Sequence, residues 1–272
     1  MKIAKRGHSL HFDNLSQALV HGKRQDPRTI YPSRMPTTNY VICAWSGPRR
    51  TLDPRTDADP AFYLRAHFQC LADHRHNLSQ ITLVVPENPN EPPAYRQYLL
   101  AELPKKIGTA EVVLIERPNI GMSYGSFSDC YARYRTSFDY YFFMEDDYFM
   151  CQHDFDKIHV DLMEEDRMCG YLCGMAWAPP DHEYHAGISN GILRSEALEK
   201  VFLALGHLPH SRDSLLYGPN EQTGQVGQSR EIINAGYTLR DWAGHYRVGF
   251  KANHTKIIMY HPECPSAIMM PL

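Results

Sequence analysis

This sequence has no long apolar run, and none of its segments approaches the roughly 18 consecutive apolar residues that a membrane-spanning helix requires. Its basic amino-terminal segment also lacks the apolar core of a secretory signal peptide. The formal net charge is only −3, so no overall positive field favours nucleic acid as a partner. These absences predict a soluble, cytoplasmic protein without a membrane span, and they disfavour a nucleic-acid partner.

A regular cysteine framework is absent as well. The seven cysteines are odd in number and irregularly spaced, and several lie within apolar segments. Disulfide-rich domains carry even numbers of cysteines in regular patterns, so we expect reduced, mostly buried thiols in a reducing compartment. Cys169 and Cys173 are four positions apart, which is not the usual spacing of a zinc-binding pair, and we expect no zinc site there.

The pattern of the sequence changes near residue 39. Residues 1–38 are polar, basic and interrupted by prolines, which predicts an amino-terminal arm. Such an arm is either a solvated extension or a segment that binds an acceptor substrate. Residues 39–272 are predicted to form a single domain.

From residue 39 onward, strand-like and helix-like segments alternate. The strand segments are short and rich in β-branched or aromatic residues, whereas the helix segments carry apolar residues at helical spacing. Predicted strands cover 40–47, 80–86, 110–121 and 138–145, and predicted helices cover 61–75, 94–103 and 124–137. This alternation predicts an open α/β sheet built from parallel crossover units.

The second half of the chain is less regular. It contains strand-like segments within 170–180 and 188–194 and a helix-like segment at 195–206. Ser195 is the predicted N-cap of that helix and Gly206 its predicted end. Asp59, which stands before Pro60, is in the same way the predicted N-cap of the helix near residue 61.

Three adjacent carboxylates end the fourth predicted strand. The segment YYFFMEDDYFM, residues 140–150, is aromatic and apolar except for Glu145, Asp146 and Asp147. Burial of unpaired carboxylates costs several kcal/mol, and ligands of open α/β sheets bind beyond the carboxyl ends of the strands. We therefore expect the acids at a ligand-binding edge, where Glu145 and Asp147 would share one side of the strand and bind Mg²⁺ or Mn²⁺. The alternative is a set of solvated acids that pair with nearby arginines.

The order of these segments resembles the GT-A nucleotide-sugar glycosyltransferases. The resemblance depends on SGPRR after the first strand, PEN after the second, NIG after the third and EDD after the fourth, followed by NGILRSEAL, NEQ and INAGYTL. It covers roughly residues 39–245, and it departs from the family at Glu145, where Asp is more common. It implies a GT-A-like, open, mostly parallel sheet with helices on both faces. Residues 39–150 would form a Rossmann-like nucleotide-sugar half, and residues 151–272 an acceptor half.

The resemblance also implies roles for single residues. Asp147 would bind the metal directly, and either Glu145 or Asp146 would contact it through water or hold the ribose. The residues expected around the nucleotide sugar are Ala44, Ser46, Arg49, Arg50, Glu87, Asn119, Gly121, Glu145 and Asp146. The residues expected on the acceptor side are Trp177, Asn190 and Gly191.

Two further candidates lie near the carboxyl end of the sequence. Glu221, in PNEQ before a predicted helix, is the candidate general base that takes the proton of the acceptor hydroxyl. The alternative is an ordinary first-turn glutamate that the helix dipole stabilises. His254 is our first choice for a further metal ligand, and the alternative for it is a structural hydrogen bond.

The implied function is transfer of a sugar from a nucleoside-diphosphate sugar to a hydroxyl acceptor such as a glycan, with Mn²⁺ or Mg²⁺ as the cofactor. Two alternatives stay open. One is a sugar-phosphate nucleotidyltransferase, although the single glycine of the SGPRR loop is atypical of that class. The other is a non-catalytic protein that binds a glycan or a nucleotide on the same scaffold.

Overall fold

The structure is a computed structural model, and it describes residues 34–47, 57–174, 176–177, 185–186, 190–210, 224–241 and 259–260. The predicted site residues Arg49, Arg50, Glu221 and His254 lie outside these described residues, as does most of the predicted arm. The described residues after Met35 belong to one compact unit. None of the described helices is long and apolar enough to cross a membrane.

An eight-stranded sheet forms the centre of this unit. Its strands are β1 (Thr38–Cys43), β2 (Gln80–Pro86), β3 (Lys106–Ile107), β4 (Ala110–Arg117), β5 (Tyr140–Glu145), β7 (Cys169–Cys173), β10 (Gly191–Arg194) and β11 (Thr238–Asp241). Their order across the sheet is β11-β7-β10-β5-β1-β2-β4-β3. Strands β1, β2, β4 and β5 run parallel to one another, and β11 is parallel to β7, whereas β10 and β3 are antiparallel to their neighbours. The predicted α/β class with a mostly parallel sheet is therefore confirmed.

Two short antiparallel strand pairs are not part of the main sheet. Strand β6 (Phe149–Met150) pairs with β12 (Met259–Tyr260), and β8 (Ala176–Trp177) pairs with β9 (His185–Ala186). The predicted strand region 170–180 is thus divided between β7 and β8, which belong to different sheets.

Helices cover both faces of the sheet, as predicted. Helix α1 (Phe62–Asp73), helix α2 (Pro93–Gln97) with the π-helical turn after it, Tyr98–Glu102, and helix α4 (Phe155–Glu165) pack on one face. Helices α3 (Met122–Tyr134), α5 (Ser195–Leu205) and α6 (Gly224–Asn234) pack on the other. The predicted single helix at 94–103 is therefore a short α-helix that widens into a π-turn.

The central strands are buried on both sides because helices cover each face. In β1, Tyr40 and Ile42 contribute to the core on one face, whereas Val41 contributes to the core on the other. Strand β5 alternates in the same way, with Phe142 on the first face and Phe143 on the second. This explains why both strands appear in the sequence as continuous apolar runs instead of alternating patterns.

Predicted helix boundaries were partly wrong. Ser195 is the first residue of α5 and not its N-cap, and its buried hydroxyl has no hydrogen-bond partner among the described residues. Gly206 does end α5, in the left-handed conformation with φ of 77°. The Asp59 carboxylate accepts a hydrogen bond from the Ala61 backbone amide at 2.9 Å, in the turn that precedes α1.

Candidate functional site

The carboxyl ends of the parallel strands meet at one edge of the sheet. Cys43, the last residue of β1, pairs with Val84 of β2 and with Glu145 of β5. Strand β10 begins at the same edge, because Gly191 pairs with Phe143 and with Cys173. The loops after β1, β2, β4 and β5 and the start of β10 are therefore neighbours, which is where α/β sheets bind ligands.

Glu145 is the first of three adjacent acids that we call the acidic turn (Glu145, Asp146 and Asp147), and two other elements hold it in place. Its carboxylate accepts a hydrogen bond from the Ser123 hydroxyl at 2.8 Å, and its backbone amide donates to the Asn190 side-chain oxygen at 2.8 Å. The Tyr148 amide donates to the Glu145 carbonyl at 3.2 Å and closes the turn. Ser123 lies in the first turn of α3, where the positive end of the helix dipole stabilises a carboxylate.

Asp146 points into the protein and is only 3% exposed. Its backbone amide donates to the Cys43 carbonyl at 3.0 Å, and its carboxylate accepts a hydrogen bond from the Trp45 amide at 3.2 Å. Asp146 therefore fixes the loop after β1 to the acidic turn. Asp147, the next residue, is half-buried.

A buried, neutral histidine forms a hydrogen bond with the backbone of the acidic turn. His67 of α1 is fully buried, and this desolvation lowers its pKa to about 4. Its Nδ1 lies 3.1 Å from the Asp146 carbonyl, which can only accept, so Nδ1 carries the proton. Its Nε2 then accepts a hydrogen bond from the Tyr40 hydroxyl at 3.0 Å. The sequence reasoning missed His67, although its position on the apolar face of a predicted helix was a signal for a buried polar group.

The loop after β1 contacts the loop after β2. The Ala44 amide donates to the Val84 carbonyl at 3.0 Å, and the buried Ser46 hydroxyl accepts a hydrogen bond from the Asn88 side chain at 3.1 Å. Glu87 is exposed at the start of the second loop. Ala44, Ser46 and Glu87 are thus brought to the same edge, and Asn88 is a contact that the sequence reasoning did not identify.

The loop after β4 is held tightly against the start of α3. Gly121 adopts the left-handed conformation with φ of 77°, and Met122 after it has φ of 53°, which side-chain-bearing residues rarely adopt. The Arg117 guanidinium donates to the Ile120 carbonyl at 2.6 Å. Asn119 is half-buried in this loop. Strained backbone of this kind concentrates at functional sites, and the predicted contact of Asn119 and Gly121 with the nucleotide sugar stays a prediction.

Asn190 and Gly191 connect the start of β10 to the acidic turn. Asn190 is fully buried, and its side-chain nitrogen has no hydrogen-bond partner among the described residues. A Cβ atom at Gly191 would lie 2.4 Å from the Leu172 carbonyl, so only glycine fits between β5 and β7. Both residues thus have packing or positioning contacts, and their predicted contact with an acceptor stays a prediction. Trp177 belongs to β8, which pairs with β9 and is not a strand of the eight-stranded sheet.

The acidic turn suits a hard divalent cation in its chemistry. Among the described residues, no group of three or more His, Cys, Asp or Glu side chains could by itself hold a metal ion. Mg²⁺ and Mn²⁺ in nucleotide sites commonly use one or two carboxylates, and water and phosphate oxygens complete the shell. Carboxylates on consecutive residues at the carboxyl ends of parallel strands fit that arrangement.

No protein-family model matches this sequence, and no curated protein matches it. Among solved structures, the chain is similar to the mannosyltransferase PcManGT from Pyrobaculum calidifontis in complex with GDP-Man and Mn²⁺. That match has 12% identity and a TM-score of 0.50, and it covers 77% of this chain and 55% of the mannosyltransferase. The chain therefore spans little more than half the length of that enzyme, and the similarity shows the fold.

Weaker similarities extend to other transferases. A cytidylyltransferase from Leptospira borgpetersenii matches at 15% identity and a TM-score of 0.44, over 76% of each chain. The glycosyltransferase GlyE of Streptococcus pneumoniae matches at 14% identity and a TM-score of 0.40, over 80% of this chain and 49% of GlyE. The predicted GT-A-like fold is confirmed by the sheet order together with the match to the mannosyltransferase.

Proposed function

We propose that this protein is a glycosyltransferase that moves a sugar from a nucleoside-diphosphate sugar to a hydroxyl acceptor, with Mn²⁺ or Mg²⁺ bound at the acidic turn. The observation that carries this proposal is the fixed position of that turn. It lies at the carboxyl edge of a parallel sheet, between the loop after β1 and the first turn of α3. The mannosyltransferase of similar fold was solved with a ligand of this class, GDP-Man, and Mn²⁺.

In this proposal Asp147 binds the cation directly and Glu145 is its partner. Asp146 is less suited to that role, because it is 3% exposed and its carboxylate accepts the Trp45 amide. A divalent cation held here would neutralise charge on the departing nucleoside diphosphate. Ser123 would keep the Glu145 carboxylate oriented, since the hydroxyl donates to it at 2.8 Å.

The nucleotide would lie along the loops after β1, β2 and β4. Ser46, Glu87, Asn119 and Gly121 belong to these loops, together with Ala44, whose backbone is fixed to β2. Arg49 and Arg50 follow the first loop in the sequence, and we propose that one of them binds a phosphate. The side-chain nitrogen of buried Asn190, which has no hydrogen-bond partner in the described part of the chain, is a further donor for the bound substrates.

Glu221 is the proposed general base. It stands three residues before Gly224, the first residue of α6, and a carboxylate there would accept the proton of the acceptor hydroxyl as that oxygen attacks the anomeric carbon. We propose that His254 is a further ligand of the cation. We also propose that Trp177 and Gly191 contact the acceptor substrate.

Thermal-shift measurements with a panel of nucleoside diphosphates, each with and without Mn²⁺, test the donor site. A ligand at one hundred times its dissociation constant adds about 2.7 kcal/mol to the free energy of unfolding. We expect one diphosphate to stabilise the protein in the presence of Mn²⁺. Asp147→Asn should abolish this effect, whereas Asp161→Asn, an exposed acid of α4 that pairs with Lys157, should preserve it. Equal stabilisation of both variants would contradict a metal-dependent site at Asp147.

Product analysis separates the proposal from its alternatives. Release of pyrophosphate from a nucleoside triphosphate and a sugar phosphate would identify a nucleotidyltransferase instead. Donor binding without hydrolysis or transfer to any tested acceptor would favour a binding protein. Glu221→Gln should lower kcat by about 10²–10⁴-fold while donor binding is retained, whereas Glu231→Gln in α6 should leave kcat unchanged. A Glu221→Gln variant with wild-type kcat would refute the proposed base.

A further inference from the structure

Two cysteines that are far apart in the sequence lie side by side in the structure. The Sγ atoms of Cys70, in α1, and Cys151, after β6, are 3.5 Å apart. Both side chains are partly exposed, whereas the other described cysteines are buried: Cys43, Cys130, Cys169 and Cys173. This pair is therefore the part of the described chain where thiol chemistry is both possible and accessible to a reagent.

The backbone around the pair holds the two thiols at this distance. Beyond Cys70, the Arg75 carbonyl accepts a hydrogen bond from the Asp154 amide at 2.7 Å, and the Arg75 guanidinium forms an ion pair with the Asp154 carboxylate. Next to Cys151, the Met150 carbonyl lies 3.2 Å from the Cys70 Sγ. A disulfide has an S–S bond of about 2.05 Å, so closure requires the sulfur atoms to approach by about 1.5 Å. Closure within the intact fold requires that rotation of the two side chains supplies this movement.

The surroundings of the pair favour reaction at Cys151. A hydrogen bond from Cys70 lowers the pKa of the Cys151 thiol, because it stabilises the thiolate. Burial instead raises the pKa of Cys43 and of Cys130 to about 12, so these thiols stay protonated and unreactive.

We propose that Cys70 and Cys151 form a modification site, a vicinal dithiol that small-molecule disulfides oxidise reversibly to an intramolecular disulfide. In the first step the Cys151 thiolate attacks one sulfur of the reagent, whose S–S bond breaks and releases one thiolate. In the second step Cys70 loses its proton to solvent and attacks the Cys151 sulfur, which releases the second small thiolate. The protein dithiol loses two electrons, and the reagent gains them as two thiols.

The new bond would connect two elements that adjoin the acidic turn. Cys70 is one helical turn after His67, whose ring donates a hydrogen bond to the Asp146 carbonyl. Cys151 is four residues after Asp147. Oxidation would therefore fix α1 to the segment that leaves the turn. Because a disulfide restricts the unfolded chain, the oxidised protein should have a higher Tm than the reduced protein.

Peptide mapping after treatment with hydroxyethyl disulfide tests the proposal. Full-length protein carrying Cys264→Ser should yield a peptide pair linked through Cys70 and Cys151, and dithiothreitol should release it. Cys70→Ser in the same background should instead accumulate the mixed disulfide on Cys151, with no linked peptide. Cys151→Ser should react more slowly at Cys70 than Cys70→Ser reacts at Cys151.

Three results would overturn the proposal. The first is a Cys264→Ser protein that carries stable mixed disulfides on both Cys70 and Cys151 and yields no linked peptide. The second is a native protein in which neither thiol reacts although both react after unfolding in urea. The third is a linked peptide that joins either cysteine to one of the buried thiols. All three results are measured on the Cys264→Ser protein. The test therefore does not depend on the folding of the Cys70→Ser and Cys151→Ser variants.

Discussion

Replacement of Gly125 by alanine tests how α3 begins at the carboxyl edge of the parallel strands. A Cβ atom at this position would lie 1.9 Å from the Ile120 carbonyl oxygen, far inside van der Waals contact. That oxygen is not free to move, because it accepts a hydrogen bond from the Arg117 guanidinium at 2.6 Å. Arg117 is itself only 5% exposed and forms an ion pair with Asp129. The clash must therefore displace either the helix or the loop after β4.

The expected magnitude follows from three contributions. Overpacking of a rigid interior costs about 1–3 kcal/mol. Loss of a hydrogen bond to a charged group costs about 1.5–3 kcal/mol. Alanine is better than glycine in a helix by about 1 kcal/mol, which opposes both costs. We therefore expect Gly125→Ala to lower the free energy of unfolding by about 1.5–5 kcal/mol.

Urea denaturation followed by circular dichroism measures this change. Gly206→Ala is the matched control, because Gly206 has φ of 77° but no atom within 4 Å of the added Cβ. It should lose only about 1–2 kcal/mol, from the left-handed backbone. If Gly125→Ala were as stable as the parent protein, α3 would not pack against the Ile120 carbonyl as described. In a folded variant, weaker binding of the stabilising nucleoside diphosphate would further support the proposed role of this loop.

Three other changes have specific expected outcomes. Arg194→Met should cost about 2–5 kcal/mol in urea denaturation, because the buried Arg194 guanidinium donates to the Met163 and Cys169 carbonyls, which would lose these hydrogen bonds; a loss below about 1 kcal/mol would contradict these contacts. Burial lowers the pKa of His76, so the unfolded chain binds more protons below pH 6.5 and stability falls with acidification. His76→Gln should reduce that dependence, and an unchanged pH profile would refute this assignment. Ser195→Ala should be neutral or stabilising in thermal unfolding, because the buried hydroxyl has no partner among the described residues; a loss of about 1 kcal/mol would restore the N-cap interpretation.

The regular elements were largely predictable because their signals are local. The predicted strands 80–86 and 138–145 are too short for helices, and they correspond to β2 and to β5, which begins two residues later than predicted. Helix ends were harder to predict where the decisive contact is distant in the sequence. Nothing near Ser195 indicates that its hydroxyl turns into the core, and nothing in 94–103 indicates that the helix widens after Gln97.

The candidate site was predictable only in outline. The sequence placed Glu145, Asp146 and Asp147 at the end of a strand and left open whether Glu145 or Asp146 is the partner of Asp147. The structure buries Asp146 against the Trp45 amide, a contact between residues that are 101 positions apart. The supporting residues Ser123 and His67 were missed for the same reason, since each contacts the turn from a different helix.

Sequence alone determined that three carboxylates follow a buried strand in an alternating α/β chain, because burial and periodicity depend on residues close together in the chain. Only the tertiary structure decided what each carboxylate contacts. Strand β10 inserts antiparallel beside β5, which brings Asn190 against the Glu145 amide and leaves room only for Gly191. Side-chain partners depend on which strands and helices become neighbours, and that choice is made by the packing of the whole domain, which no local pattern encodes.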